Sequence, residues 1–571
     1  MRSSFNIFLQ RESVAQWVVL VALALLSVLS ANAQDLENIA KAKPFEIHGS
    51  ASASVGYYKG VGFQNTRRPY SYSIMLAPTI SVYGVQIPFN LTFTEGSRSI
   101  NNPFAQFGVN PHWKWIKGYF GWTNMTWSPT TLSGKTFLGA GIEINPSLFR
   151  FGAMYGRFNP AIKENLLSKE IQQPQFKRKG WATKIGVGNS DNYVDFIFLA
   201  ARDVPNSIPV PQDTLNQLTY TPAENVVFGI MSFQTFAKKK LTWQLDGAVS
   251  GFTRDTRSPL IDPGTGFGTK ALKLIFPPHL SSSYSWTAHT NLFYKAELFT
   301  LGFDYNRVQP EYQSMGIDYI LNDQQRITLN QTWFAGKKKW TFGFNEFYQQ
   351  DNLNKRKAVQ THRAGLSSSI NYQLNQSFGF SIAYNNFFTA QTKGLKQVSD
   401  TTKVFQMQNT ILFAPRYMIA TIKYVHNIYT SITYSRLDDF NRITSKYAKN
   451  STVNVNVGYS LSVNALALSF TPGFNILYAQ NPTVSLLTLG PNVSLGKSFW
   501  KGKISTSLSL GFTASQQNSV WNNKVINNTI GVGYRIDNHH SLKLDNSIMY
   551  AMYVASTSQE YRGAVTYTYS F

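Results

Sequence analysis

From Phe45 to its last residue, this chain repeats one pattern, with apolar side chains at every second position and polar ones between. Phe45, Ile47, Ala51, Ala53, Val55 and Tyr57 interleave with Glu46, His48, Ser50, Ser52 and Ser54. Ile87, Phe89, Leu91 and Phe93 alternate with Gln86, Asn90, Thr92 and Thr94. Successive side chains of a strand point to opposite faces, so this period makes strands with two unlike sides. The segments are close in length to the roughly 9–11 residues with which a tilted strand crosses a bilayer's hydrocarbon. The end of the chain is the clearest case. Tyr561, Gly563, Val565, Tyr567, Tyr569 and Phe571 fall on one face, and Arg562, Ala564, Thr566, Thr568 and Ser570 on the other. In water such an aromatic edge strand would aggregate. It is at home where one face meets lipid and the strand closes a barrel.

Composition agrees with lipid on one side. Aromatic residues make up 15% of the chain and charged residues only 14%, against roughly 25% charged in ordinary soluble domains. Mean hydropathy is nonetheless slightly negative, because a barrel hides its apolar face in alternate positions. The chain has no cysteine, so disulfides, thiol catalysis and Cys-ligated metal are excluded.

At the start, Arg2 and Arg11 precede an apolar run from Trp17 to Leu29, followed by Ala31-Asn32-Ala33. This reads as a signal peptide over residues 1–33, cleaved near Ala33. Residues 34–44 are then a short periplasmic extension, and residues 45–571 a single barrel without a plug domain or other folded domain.

Short connections near residues 83–85, 146–148, 189–192, 236–240, 335–339, 414–416, 499–502 and 536–540 alternate with mostly longer ones, among them 95–136, 252–282, 306–324, 429–450 and 514–524. Short periplasmic turns and long extracellular loops leave this trace. The expected fold is all-β, a single transmembrane antiparallel β-barrel of about 24 strands, within a range of 22–26. The run from Trp113 to Trp127 is either an ordinary strand or part of an excursion over residues 95–136. Folded into the lumen, that excursion would narrow it at Arg98, Trp113, Lys114, Trp115 and Lys117.

The terminal strand resembles that of Gram-negative outer-membrane β-barrels, in which a final Phe after alternating aromatics is the signal to the barrel-assembly machinery. Thr131 to Pro160 looks like a run found in Bacteroidota-type, porin-like outer-membrane barrels of unassigned function. The resemblance implies a location in the cell outer membrane, among lipid and lipopolysaccharide, and carries no activity with it.

The formal charge is +24. In a water-soluble protein this would suggest nucleic acid, which is not expected of a secreted membrane protein. The basic groups gather in connections: Arg67-Arg68, Lys177-Arg178-Lys179, Lys238-Lys239-Lys240 and Lys337-Lys338-Lys339. They are either hydrated and lipid-facing, or part of a positive lumen that favours anions. Inward positions carry mostly Ser, Thr, Asn and Gln, with Glu143, Asp195, Asp246, Asp304, Lys543, Asp545 and Arg562 among them. A barrel enzyme would need a His beside a nucleophile. His289 shares an inward face with Ser283, Ser285 and Thr287, but Ser and Thr are everywhere in this chain. Gly264, Gly266 and Gly268 fit neither phosphate-loop spacing. No catalytic residue, metal site or cofactor is expected.

The leading expectation is a channel or porin-like passive transporter of small polar solutes. The alternative is an accessory barrel subunit of an outer-membrane secretion, assembly or surface-attachment complex.

Overall fold

The computed structural model describes residues 44–63, 67–82, 85–88, 91–94, 108–163, 174–209, 220–262, 275–396, 399 and 402–571. The expected signal peptide and nearly all of the expected extension lie outside these residues, as do Arg98 and Gly264 to Gly268.

Among the described residues, alternation becomes one antiparallel sheet of 28 strands. They begin with β1 (Phe45–Val61), β2 (Tyr70–Val82), β3 (Val85–Pro88), β4 (Leu91–Thr94), β5 (Gly108–Val109), β6 (His112–Trp113), β7 (Ile116–Met125), β8 (Lys135–Ile144) and β9 (Phe149–Asn159). Next come β10 (Arg178–Gly188), β11 (Tyr193–Asp203), β12 (Glu224–Phe236), β13 (Leu241–Thr253), β14 (Ser282–Lys295), β15 (Phe299–Val308), β16 (Gln324–Ala335), β17 (Trp340–Asp351) and β18 (Val359–Gln373). The last ten are β19 (Phe378–Lys393), β20 (Phe405–Ala420), β21 (Tyr424–Asp439), β22 (Asn450–Val463), β23 (Leu468–Gln480), β24 (Ser485–Phe499), β25 (Ile504–Gln517), β26 (Val520–Arg535), β27 (His540–Tyr553) and β28 (Thr557–Ser570). β3 and β4 both pair with β2, and β5 and β6 both pair with β7. Each of these couples is one interrupted stave, so 28 strands make 26 staves.

The first and last strands meet. β1 pairs with β28 from Ser50↔Ser570 to Val61↔Gln559, and the amides of Gly49 and Phe571 each donate to the other's carbonyl, at 2.8 and 3.0 Å. The ladder is thinnest between the third and fourth staves. There, among the described residues, Gln86↔His112 is the one pair, so the ring is not zipped at that seam.

Faces follow from register, and they are inside-out relative to a water-soluble protein. On β10, Trp181, Ile185 and Val187 are exposed, whereas the side chain of Lys184 is buried. Outward aromatic rings touch across strand ends near the turns on the terminal side. Tyr294 meets Phe299, Phe299 meets Trp333, and Trp340 meets Tyr372. Such cross-strand aromatic pairs stabilise a sheet by roughly 0.2–1 kcal/mol each. An acid stands in the outward face at mid-strand. Glu346 is exposed on the face that carries Trp340, Phe342, Phe344 and Tyr348, between Leu329 and Leu366 of the adjoining strands.

Three sequence readings need correction. Residues 108–125 are wall strands, not part of an excursion, which adds two staves to about 24 and brings the count to the top of the expected range of 22–26. Residues 414–416 are not a turn, because β20 runs through them. Pro415 pairs with Phe380 of β19, while the ladder to β21 skips Ala414 and Pro415, as suits a residue with no N–H to donate. The long outer connections also shorten towards the C-terminus. β21 extends to Asp439, and only residues 518–519 separate β25 from β26.

Candidate functional site: the inner wall and two inward loops

The inward acids and bases named from the sequence all share the inner face. Asp195 lies opposite Met231, Met231 opposite Asp246, and Asp246 opposite His289, each by ladder register. Asp304 continues the row beside Asn291. These charges meet one another. Arg150 grips Asp195 through Nε and Nη2 at 2.7 and 2.9 Å, and its guanidinium lies 4.0 Å from the Tyr193 ring centroid. Lys184 Nζ stands 3.3 Å from Glu143, which also accepts from Tyr119 Oη and Trp127 Nε1, both at 2.7 Å. His289 Nε2 is 2.6 Å from Asp304. Further round, Lys543 pairs with Asp545 and Arg562 with Glu560. Opposite charges set side by side cancel at the distance of a passing solute.

Above this row, two connections turn into the lumen. Residues 126–134 join β7 to β8, and residues 309–323 join β15 to β16. The first folds on itself through Trp127 N and Ser128 N, which both donate to Leu132 O. The two loops are bonded together. Tyr312 Oη donates to Thr130 O at 2.7 Å, Ser314 Oγ to Thr131 O at 2.6 Å, and Ser133 N to Gly316 O at 3.1 Å. They also grip the wall. Thr130 Oγ1 donates to Asp246, Met315 N to Asn225 Oδ1 at 2.9 Å, and Ser250 Oγ to Gln313 O at 2.6 Å. Leu132, Tyr312 and Met315 pack with Phe137, Ile197, Leu199 and Val227 of the inner face. This is an apolar core within an otherwise polar interior. Burial raises the Tyr312 phenol above its ordinary value.

The residues proposed as a constriction occupy another place. Trp113 ends β6, Lys114 and Trp115 form the turn, and Lys117 lies on β7. Register sets His112 opposite Lys117 and Trp113 opposite Ile116. Lys117 therefore faces inward, with its ammonium over the Tyr119 ring, while Trp113 faces out. This turn stands at the same end as residues 145–148, away from the inward loops. Residues 126–134, between β7 and β8, fold inward, and Trp127 goes with them.

His289 faces Asp246 across one ladder and Asn306 across the other, so its closest chemistry is carboxylate rather than hydroxyl nucleophile. His362 and His426 bond the outward hydroxyls of Tyr348 and Tyr459, each at 2.8 Å.

The opposite wall is of another kind. Within strands β22 to β25 the only charged side chain is Lys497, with Lys501 and Lys503 in the turn between β24 and β25, and the register of Lys497 opposite Leu468 puts it on the outer face. Inward positions there are Ser, Thr, Asn and Gly, bonded sideways. Asn475 donates to Asn456 and Asn456 to Asn454, both at 2.5 Å, and the Ser494 and Ser509 hydroxyls are 2.8 Å apart. These side chains are half-exposed.

No protein-family model matches the chain, and no curated protein does. Among solved structures, the FrpB iron transporter from Neisseria meningitidis (F5-1 variant) is 10% identical, with a TM-score of 0.40, over 93% of this chain and 82% of that one. OccAB2 of Acinetobacter baumannii is 11% identical over 66% of this chain and 97% of its own, with a TM-score of 0.29. OpdK of Pseudomonas aeruginosa is 10% identical over 62% and 94%, with a TM-score of 0.31. Superpositions this loose leave the chain's function to its own geometry.

Proposed function

We propose that this chain is an outer-membrane channel for small polar solutes, partly filled from one side by its own loops. The observation that carries the reading is the unequal cover of the inner wall. A ring of 26 staves is wider than barrels of 16–18 strands, which already enclose an aqueous channel. Residues 126–134 and 309–323 cover the side from β8 to β13. Among the described residues, nothing covers the polar side from β22 to β25. Solutes move down their own gradient through that side. In planar bilayers the purified barrel is expected to give discrete conductance steps, and no conductance above background refutes the channel.

A second reading has one observation in its favour. Glu346 puts a carboxylate on the lipid-facing side, where charge is costly. An accessory subunit of a larger membrane complex would use that group to meet a cation or hydrogen-bond donor of its partner. Native mass measurement after mild detergent extraction separates the two, since a stoichiometric complex lost on Glu346→Leu favours the subunit.

A further inference from the structure

The inner wall is divided, and the division has a geometric regularity. The side under the loops is centred between β10 and β11, and the wall free of charged groups between β23 and β24. Counted in staves, the two centres are half the ring apart. On the covered side the acids are held by close partners. Arg150 holds Asp195, Lys184 holds Glu143, and Thr130 of the inward loop caps Asp246. Among the described residues, the wall from β22 to β25 is left open to water and is one of hydroxyls and carboxamides.

We infer that the open path selects for uncharged, hydroxyl-bearing solutes such as small saccharides and polyols, and discriminates little between cations and anions. The inference rests on the channel reading. It runs against the formal charge of +24, and the physical reason lies in where that charge sits. The lysine clusters Lys238-Lys239-Lys240 and Lys337-Lys338-Lys339 are in turns at strand ends, exposed to water. Their field falls off over a Debye length of about 8 Å at physiological salt, so they colour the mouth and add little at the middle of the wall from β22 to β25. At the middle a solute meets Asn454, Asn456 and Asn475. Carboxamides both donate and accept, so they can exchange hydrogen bonds with a sugar's hydroxyls without burying an ion. A fixed charge is what a channel uses to sort ions, and on this wall, from β22 to β25, none faces inward.

The test is the permeability ratio of chloride to potassium in planar bilayers under a potassium chloride gradient, with liposome swelling in isosmotic glucose or glutamate beside it. A ratio near one, with glucose entering at least as fast as glutamate, is expected. Asn475→Lys should then move the ratio towards chloride and Asn475→Asp towards potassium, because the path runs along that residue. Two substitutions of opposite sign keep the test open if one fails to fold. A wild-type ratio beyond about fivefold in either direction, or no shift from either substitution, overturns the inference while leaving the channel standing. Absence of any conductance overturns both.

Discussion

The hydroxyl of Tyr312 donates to the carbonyl of Thr130 at 2.7 Å, across 182 residues of chain. This contact ties the loop before β8 to the loop before β16, and both to the inner wall. Tyr312→Phe leaves the Thr130 carbonyl without that donor, at about 1 kcal/mol, and should raise mean conductance modestly. Gly316→Val should raise it more. A Cβ at Gly316 would stand 2.6 Å from Thr131 O, a backbone atom that cannot step aside. Single-channel records of the three proteins check the order.

Alkaline pH should open the loops. Burial raises the Tyr312 phenol above its ordinary value of 10.0. A group whose pKa is raised by folding stabilises fully below its ordinary value, and that stability is lost as pH rises towards the raised one. Conductance should therefore climb above about pH 10 in the wild type, with no such rise in Tyr312→Phe.

Adjacent positions on β28 test the assignment of faces. Val565 is outward and exposed, whereas Thr566 bonds Ser54 inside the ring at 3.0 Å. Val565→Arg should cost about 2–4 kcal/mol if it sits near the bilayer midplane, and Thr566→Arg much less. Urea unfolding in liposomes gives both values, and equal costs would contradict the alternation.

Much of this was legible in the sequence, and the failures have physical causes. Dyad patterning marks the wall because each strand must satisfy two solvents at once. The hairpin of β6 and β7 was harder to see, since the Lys114-Trp115 turn carries no Gly, Pro, Asn or Asp. Lys114 adopts the left-handed conformation instead, with φ of 49°. Pro415 misled in the other direction, as a turn residue lying inside a strand. The inward loops were caught only at Trp127. Leu132, Tyr312 and Met315 become a core through contacts far apart in sequence, and the one local hint was apolar residues in connections expected to be wet. Register also showed that Lys117 faces in while Trp113 faces out, which a list of neighbouring aromatics does not reveal.

Glu346→Leu should stabilise the isolated barrel by up to about 2 kcal/mol, since a carboxylate facing lipid is unfavourable. The midpoint of thermal unfolding in detergent measures it. A fall in the midpoint would assign Glu346 a favourable contact within the barrel.

The one-sided plug is tested most directly by thiol labelling, because the native chain has no cysteine. Asn475→Cys places a thiol on the open wall, and Val227→Cys one beneath the loops, where Val227 is fully buried. A charged methanethiosulfonate added to single channels should react rapidly at position 475 and lower the conductance, while leaving position 227 untouched until Gly316→Val is added. Equal reaction at both positions, or modification of Asn475→Cys without any change in current, would contradict the account.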